Sequence, residues 1–396
     1  MTDKGKYEKF VNEVDLGETS ELPPGLVPLM LYNFMEIREA TITLEGFMPG
    51  LPPSGIEGLD PKTLEIGEVG AGEEGHDWGF PWYFGARYYS AFTPTGEFTT
   101  FKSVPMRLPG NLLYFTISLD PDNPDHADMG DVEHWMGEPD EVEQSVMHTT
   151  KPRAFFVPAG ILGGPMVPRT MPEKPGPVAN LVVYDLPFFA GQAAYDRPMS
   201  ELRPGFDPEE LKIQERPSGS KSKYDKYVTE VDVKKIAVPP SHKGKVTPVM
   251  YYDGYNNFET TLSIDARLIH GSGIGFGIGE STSDKMYDFD ILPHYHAFDE
   301  VHCFIGLDPN NRRDLGATVE FWMGEGAEAE KLVFDRPKTI IVEKGTVHYP
   351  MYINESHRPF LLMRVIKMPF WAARWINNFP PGFEHEILLD KNFPHC

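Results

Sequence analysis

The sequence predicts an all-β protein made of two tandem β units. Three observations support this prediction. The sequence contains an internal repeat, and its apolar segments are short and rich in β-branched residues. Turn-forming residues separate these segments at frequent intervals. The 396 residues include 37 glycines and 38 prolines, which break long helices. We therefore expect an antiparallel sandwich or barrel for each half rather than a helical bundle.

The repeat is visible in four blocks. The first, Lys6–Asp15, returns as Lys223–Asp232, an unusually close internal match. The second, Val132–Glu138, returns as Val319–Glu325, and both copies contain the run Trp-Met-Gly-Glu. Two further pairs follow in the same order: Lys151–Gly160 with Arg336–Gly345, and Pro177–Pro187 with Pro359–Pro369. Each half is expected to fold as one copy of the same unit.

The repeat also sets the predicted domain boundaries. We expect the N-terminal unit over residues 1–187 and the C-terminal unit over residues 223–372, joined at 188–222 by a linker rich in turn-forming residues. The first half is longer, and its additional residues are expected to form an inserted loop region at about 49–96. Residues 373–396 form a tail, and the mild helical character of Phe370–Ile376 predicts a short flanking helix.

Charge and cysteine content narrow the range of partners. The formal net charge is −23, and a surface this negative repels phosphate backbones and anionic lipid. Neither nucleic acid nor a membrane is therefore expected as a partner, and the polar N-terminus predicts a cytoplasmic protein. The only cysteines are Cys303 and Cys396, so any metal is expected to be held by histidine and carboxylate.

A histidine-rich segment in the second half is the strongest candidate for a functional site. His294, His296 and Glu300 lie an even number of residues apart, and strand side chains alternate faces, so all three are expected to project to one side. His348 is expected to face them from a later strand. Three imidazoles and one carboxylate suit a divalent metal with positions left open for water or substrate. We expect one divalent transition metal per chain, with iron, manganese and zinc as alternatives.

The spacing of these residues resembles the two motifs of the cupin family. The matching patterns are His294-x-His296-x3-Glu300-x5-Gly306 and Gly345-x2-His348-x5-Asn354. Together with the repeat, this resemblance implies a bicupin, which is two tandem cupin barrels of the double-stranded β-helix or jelly-roll type. It also implies that the three histidines and the glutamate are the metal ligands.

The four ligand positions are not shared between the halves. Alignment on the repeat places Met106, Leu108, Leu112 and Gly163 opposite His294, His296, Glu300 and His348, in that order. Their joint replacement indicates that the four residues act as a set. The N-terminal barrel is expected to be metal-free, and either to be structural or to lend a wall or lid to the other barrel.

Other polar residues stand opposite apolar ones in the same alignment: His302 opposite Tyr114, Arg364 opposite Val182, and Arg267 opposite Phe47. Such side chains are costly in a barrel strand unless they are paired or functional. We expect His302 to transfer protons or to orient Glu300. Arg364 and Arg267 are expected to hold an anionic oxygen or to form salt bridges. Tyr295, Tyr349 and Tyr352 flank the ligands and are candidate substrate-pocket residues.

The expected chemistry is metal-dependent cleavage of a carbon–carbon bond in a small, oxygen-rich compound that is anionic or enolisable. The family includes ring-cleaving dioxygenases, oxalate-type decarboxylases, isomerases and hydrolases. We favour an iron(II) ring-cleaving dioxygenase in which His302 moves the proton and Arg364 stabilises negative charge. The alternatives are a manganese or zinc hydrolase that opens a cyclic 1,3-diketone, an isomerase, and a non-enzymatic ligand-binding protein. Oxalate-type decarboxylases usually hold metal in both barrels, which counts against that reaction here. A homodimer is left open.

Overall fold

A computed structural model of the chain describes most of residues 111–163, 223–276 and 293–366. It also describes residues 7, 11–13, 26–33, 83–89, 106–107, 167–168, 178–184, 213–215 and 374–375. The chain divides into two compact units. The N-terminal barrel comprises Gly17–Asp120 and His126–Glu230, and the C-terminal barrel comprises Met1–Leu16, Pro121–Asp125 and Val231–Cys396.

The described residues form 24 β-strands. The first twelve are β1 (Val11–Glu13), β2 (Leu26–Asn33), β3 (Tyr83–Tyr89), β4 (Met106–Arg107), β5 (Leu112–Ser118), β6 (Gly130–Glu138), β7 (Glu141–Thr149), β8 (Arg153–Val157), β9 (Leu162–Gly163), β10 (Val167–Pro168), β11 (Val178–Tyr184) and β12 (Ile213–Glu215). The second twelve are β13 (Val228–Glu230), β14 (Val246–Asp253), β15 (Ser263–Ile269), β16 (Ile274–Phe276), β17 (His294–Tyr295), β18 (Glu300–Gly306), β19 (Ala317–Met323), β20 (Glu330–Phe334), β21 (Lys338–Val342), β22 (His348–Ser356), β23 (Phe360–Ile366) and β24 (Arg374–Trp375).

Each unit contains two six-stranded sheets. In the N-terminal barrel the orders are β13-β8-β5-β11-β3-β2 and β12-β7-β6-β9-β4, with β10 beside β6. In the C-terminal barrel they are β1-β21-β18-β23-β15-β14 and β20-β19-β22-β17-β24, with β16 beside β22. From β15 to β23 the chain passes back and forth between the two sheets, which is the jelly-roll arrangement. The predicted all-β fold with two jelly-roll units is therefore confirmed.

The hydrophobic core of the C-terminal barrel lies between its two sheets. Phe304 on β18 packs edge-on against Phe321 on β19, with ring centroids 6.2 Å apart, and against Phe334 on β20 at 4.9 Å. All seven residues of β18 and all seven of β23 are buried. Strands that are buried on both faces usually consist of apolar residues throughout, so the polar residues within these two strands are unusual and need an explanation.

In the best-matching block of the repeat, each of the two copies forms an edge strand in the sheet of the other half. β1 lies in the first copy and pairs with β21 in the C-terminal barrel, where Val11 faces Ile340. β13 lies in the second copy and pairs with β8 in the N-terminal barrel, where Val228 faces Phe155. The two units are therefore not consecutive along the chain. Residues 185–212 and 367–373 lie outside the described part, so the boundaries expected at 187 and 372 stay predictions.

The strand register corrects one pairing of the two halves. Pro28 of β2 faces Arg87 of β3, and Pro248 of β14 faces Arg267 of β15, with the same register shift after each proline. Arg87, and not Phe47, is therefore the counterpart of Arg267. β3 falls inside the predicted insertion at about 49–96, so the additional residues of the first half lie largely before this strand. A glycine- and proline-rich stretch contains few distinctive residues on which to align the two halves, which explains why Phe47 was placed opposite Arg267.

The predicted flanking helix is also wrong where the structure describes it. Of Phe370–Ile376, only Arg374 and Trp375 are described, and they form β24, which pairs with β17. Pairing with a neighbouring strand overrides a weak local helical preference. The described residues contain no α-helix, and 3-10 turns lie at Asp225–Tyr227 and Gly326–Glu328. Among them, no helix is long and apolar enough to cross a membrane.

Candidate metal centre

The four predicted ligands come together in the C-terminal barrel. His294 lies on β17, directly opposite His348 at the start of β22. His296 follows β17, and Glu300 begins β18 on the other sheet. The ligand atoms of the four side chains all lie within 4.8 Å of one another. Among the described residues they form the one such group of histidines and carboxylates.

The cluster is closed off from solvent and centred on the carboxylate. The exposed fraction is 2% for His296 and 0% for the other three ligands. Oε2 of Glu300 lies 3.0 Å from Nε2 of His296 and 3.1 Å from Nε2 of His348. Two ligand atoms bound at right angles to one ion, each at about 2.1 Å, lie roughly 3 Å apart. The observed separations therefore fit a shared ion.

The hydrogen bonding of His348 also fits a cation. Nδ1 of His348 donates to the backbone carbonyl of Thr346 at 3.1 Å, so in the neutral ring Nε2 carries the lone pair. Burial lowers the pKa of His348, and Glu300 offsets only part of this effect. The ring is therefore neutral near pH 7. The Nε2 lone pair then faces the Glu300 carboxylate at 3.1 Å. Two acceptors in such contact repel each other unless a cation lies between them.

The carboxylate is ready to act as a ligand. Burial alone raises the pKa of Glu300, but the neighbouring His302 and His296 outweigh burial and hold the pKa well below its usual range. Glu300 is therefore ionised at neutral pH. One buried carboxylate, together with imidazole nitrogens, is a donor set that iron(II), manganese(II) and zinc(II) all accept. The residues present thus fit a divalent metal.

His302 lies next to the cluster and is held by Tyr349. Nε2 of His302 shares a 2.8 Å hydrogen bond with the Tyr349 hydroxyl and lies 3.6 Å from Oε1 of Glu300. Tyr349 is fully buried, and its ring stacks on His294 with centroids 5.1 Å apart. Its backbone has a φ of +67°, a rare conformation for a residue with a side chain. This conformation belongs to a residue in direct contact with the site.

The two predicted arginines share one carboxylate. Nε of Arg364 donates to Oδ1 and Oδ2 of Asp265 at 3.0 and 3.1 Å, and Nη2 adds a second bond to Oδ2. Nη2 of Arg267 lies 3.5 Å from the same Oδ2. All three side chains are buried. Sequence reasoning missed Asp265, although Asp265 and Arg267 alternate with apolar residues over Ile264–Ile269, which was a usable signal.

The remaining predicted residues are not brought together with this cluster. Tyr295 is partly exposed between buried His294 and His296, and Tyr352 is partly exposed between buried Met351 and Ile353. In an alternating strand, such a residue lies on the face opposite its two neighbours. Tyr349 is therefore the one candidate pocket tyrosine of the three that contacts the ligands.

The corresponding positions of the N-terminal barrel hold no ligands. Met106 faces Gly163 across β4 and β9, as His294 faces His348 in the other barrel, and Leu112 begins β5 as Glu300 begins β18. A Cβ atom at Gly163 would meet Cγ1 of Val157 at 2.5 Å, so a larger residue does not fit there without rearrangement. The alignment is confirmed at these positions, while Leu108 lies outside the described residues.

Comparisons with known proteins give a distant likeness. No protein-family model and no curated protein matches the sequence. Among solved structures, a serine-to-alanine variant of oxalate decarboxylase from Bacillus subtilis aligns with 9% identity and a TM-score of 0.44, covering 75% of this chain and 72% of that one. A tryptophan-to-tyrosine variant of that enzyme aligns over the same shares with 8% identity and a TM-score of 0.43. Another structure, which concerns the Mn(II) centres of that enzyme, has 9% identity and a TM-score of 0.44 over the same shares. At these values the likeness says nothing about substrate or reaction.

Proposed function

We propose that this protein is a metal-dependent enzyme with one divalent metal ion in its C-terminal barrel. His294, His296, Glu300 and His348 would hold the ion. The observation that carries the proposal is the convergence of four ligand atoms within 4.8 Å in a buried position. When bound, the ion would act as a Lewis acid toward oxygen atoms of a substrate.

His302 and Tyr349 are proposed to handle protons beside this site. Their 2.8 Å hydrogen bond joins two groups that can each donate and accept a proton. Both are fully buried, which keeps bulk water from competing for the proton. In this role the Tyr349 hydroxyl passes its proton to Nε2 of His302 while its oxygen takes the proton of the substrate, so the proton moves along the 2.8 Å hydrogen bond.

The first candidate reaction is oxidative cleavage of a carbon–carbon bond in a small, oxygen-rich ring, such as a hydroxylated aromatic compound. The donor set supports this proposal because three imidazoles and one carboxylate leave coordination positions of iron(II) open. In this reaction the ring carbon–carbon bond breaks, the substrate is oxidised, and both atoms of dioxygen enter the product. The two buried guanidiniums beside the site suit a substrate that carries negative charge.

The second candidate is hydrolytic opening of a cyclic 1,3-diketone with manganese or zinc. The hydrogen bond between His302 and Tyr349 favours it, because hydrolysis needs a base for the attacking water and an acid for the departing carbon. Water supplies one hydrogen atom to the carbon and a hydroxyl group to the new carboxylate, so no oxidant is consumed.

Oxygen dependence separates the two candidates. We expect purified enzyme containing iron to turn over a catechol in air and to stop under strict anoxia. Undiminished turnover of a cyclic 1,3-diketone without oxygen would contradict the dioxygenase and support the hydrolase. If metal-loaded protein turns over neither class of compound, the ligand-binding alternative is favoured. A His302→Gln variant with unchanged metal content should lose most activity on whichever compound is turned over.

A further inference from the structure

The charged cluster formed by Asp265, Arg364 and Arg267 is the strongest feature to which the proposed reactions assign only a net charge, and its geometry defines a more specific role. Arg364 meets Asp265 side-on through Nε and Nη2, so the carboxylate fixes the plane of the guanidinium. The exposed fraction is 4% for Arg364 and 7% for Asp265. Two guanidiniums around one carboxylate leave this cluster with one excess positive charge.

The register places this ion pair on the same face as the candidate metal ligand Glu300. Arg364 on β23 lies directly opposite His302 on β18 and directly opposite Asp265 on β15. Residues paired across neighbouring strands project to the same face of a sheet. Glu300 shares that face, because it lies two residues before His302 on the same strand. His302, Arg364 and Asp265 therefore form one row across the sheet, next to Glu300.

The N-terminal barrel provides an internal comparison. The row His302, Arg364 and Asp265 corresponds to Tyr114, Val182 and Gly85, which pair with one another in the same register. The ion pair is therefore absent from the barrel that also lacks the metal ligands. The position of Arg267, by contrast, keeps an arginine in Arg87. The sheet itself can thus be built without the ion pair.

A contribution to folding stability does not explain the buried ion pair of Asp265 with Arg364. Removing two charges from water costs several kcal/mol per ion, and replacement of a buried ion pair by apolar residues is often neutral or stabilising. The N-terminal barrel shows such a replacement at the matching positions. A fixed guanidinium on the face of a metal site has another use, because it presents positive charge to an incoming anion without reorganising.

We propose that Asp265 is a positioning residue that orients Arg364 to bind a carboxylate group of the substrate. This inference rests on the proposed function and narrows it, because the substrate would carry a carboxylate in addition to the oxygen atoms offered to the metal. Arg364 contacts the substrate, Arg267 adds positive charge, and Asp265 acts through Arg364.

Binding of two matched probes tests this proposal. Benzoate and benzamide have nearly the same shape, but only benzoate is charged. We expect the metal-loaded protein to bind benzoate more tightly in isothermal titration calorimetry. Asp265→Asn should reduce benzoate affinity by about tenfold or more and leave benzamide affinity within about twofold, because a charge-assisted bond is lost only for the anion. Asp265→Glu should restore part of the preference.

The controls separate this proposal from a structural effect. Asp128 of the N-terminal barrel is also buried and accepts a hydrogen bond from the Gly130 backbone, so Asp128→Asn should not change the ratio of the two affinities. If Asp265→Asn does not fold, Arg364→Lys provides the same test, since it keeps the charge but loses the planar donor fork.

Metal content measured on the same samples distinguishes a failure of the ion-pair role from a failure of the proposed metal site. A wild-type protein that holds one metal ion but does not prefer benzoate would overturn the role of the ion pair and leave the metal site standing. The role would equally be overturned if folded Asp265→Asn kept the full preference. If no metal is bound, the proposed function fails, while a benzoate preference that depends on Asp265 would still support the oriented guanidinium.

Discussion

At the scale of single residues, the environment of each histidine decides what it can do. His348 donates through Nδ1 to a carbonyl, which leaves Nε2 for a cation, whereas His302 uses Nε2 toward Tyr349. His134 in the N-terminal barrel has neither kind of partner among the described residues and packs 5.2 Å from the ring of Phe155. The same side chain thus serves as a candidate ligand, a candidate proton carrier and a core residue.

Tyr349→Phe tests the contact between Tyr349 and His302. Removal of the hydroxyl leaves a buried ring nitrogen of His302 without its 2.8 Å hydrogen bond, so we expect a loss of about 1–2 kcal/mol in the free energy of unfolding. Chemical denaturation measures it. Tyr295→Phe is the matched control, since Tyr295 is partly exposed, and should change stability by less than about 0.5 kcal/mol. Equal losses in the two variants would contradict the assigned contact.

His134 makes the protein sensitive to acid. Burial lowers the pKa of His134 to about 4, from 6.5 for an ordinary histidine. The unfolded chain therefore binds the proton first, so this contribution to stability is complete above about pH 6.5 and is lost as the pH falls toward 4. The loss amounts to about 3 kcal/mol. His134→Phe, which copies Phe321 of the other barrel, should remove this part of the acid sensitivity.

Unfolding free energies at pH 7 and pH 4.5 measure this difference. His148 is half-exposed and pairs with Asp131, so His148→Gln should keep the acid sensitivity of the wild type. An equal fall in stability for wild type and His134→Phe would show that His134 is not held neutral by burial.

At the scale of strands, the convergence of the candidate ligands was easier to predict from the sequence than the connections around them. The even spacing of His294, His296 and Glu300 is a local property of strands, and the repeat identified Met106 and Gly163 as positions that lack ligands. The pairing of Asp265 with Arg364 joins residues 99 positions apart, and no local pattern specifies it. The exchanged positions of β1 and β13 were missed for the same reason, because pairing across distant parts of the chain is set by tertiary packing.

The exchange of edge strands can be tested by hydrogen exchange. Asn12→Pro should disrupt β1, because proline cannot donate to a sheet ladder, and should lower amide protection in β21. Protection in β8 should be unchanged. Thr229→Pro in β13 is the reciprocal control and should lower protection in β8 but not in β21. If Asn12→Pro exposes β8 instead, each edge strand belongs to its own half.

At the scale of the whole molecule, the two barrels share a fold but differ in the residues at the positions of the candidate metal centre. The strand orders β13-β8-β5-β11-β3-β2 and β1-β21-β18-β23-β15-β14 match throughout, and those of the other two sheets match over four strands. The repeat links the two barrels block by block. The ligand cluster and the ion pair of Asp265 with Arg364 occur in the C-terminal barrel, and the matching described positions of the N-terminal barrel hold apolar residues, glycine or tyrosine. The net charge of −23 suits solubility and has no part in this difference.

Metal content per chain tests the central claim most directly. We expect elemental analysis of protein purified without added metal to find about one equivalent of a divalent transition metal. His296→Ala should lose it, whereas His134→Phe in the other barrel should keep it. Two equivalents in the wild type, or one equivalent retained by His296→Ala, would contradict a single site held by His294, His296, Glu300 and His348.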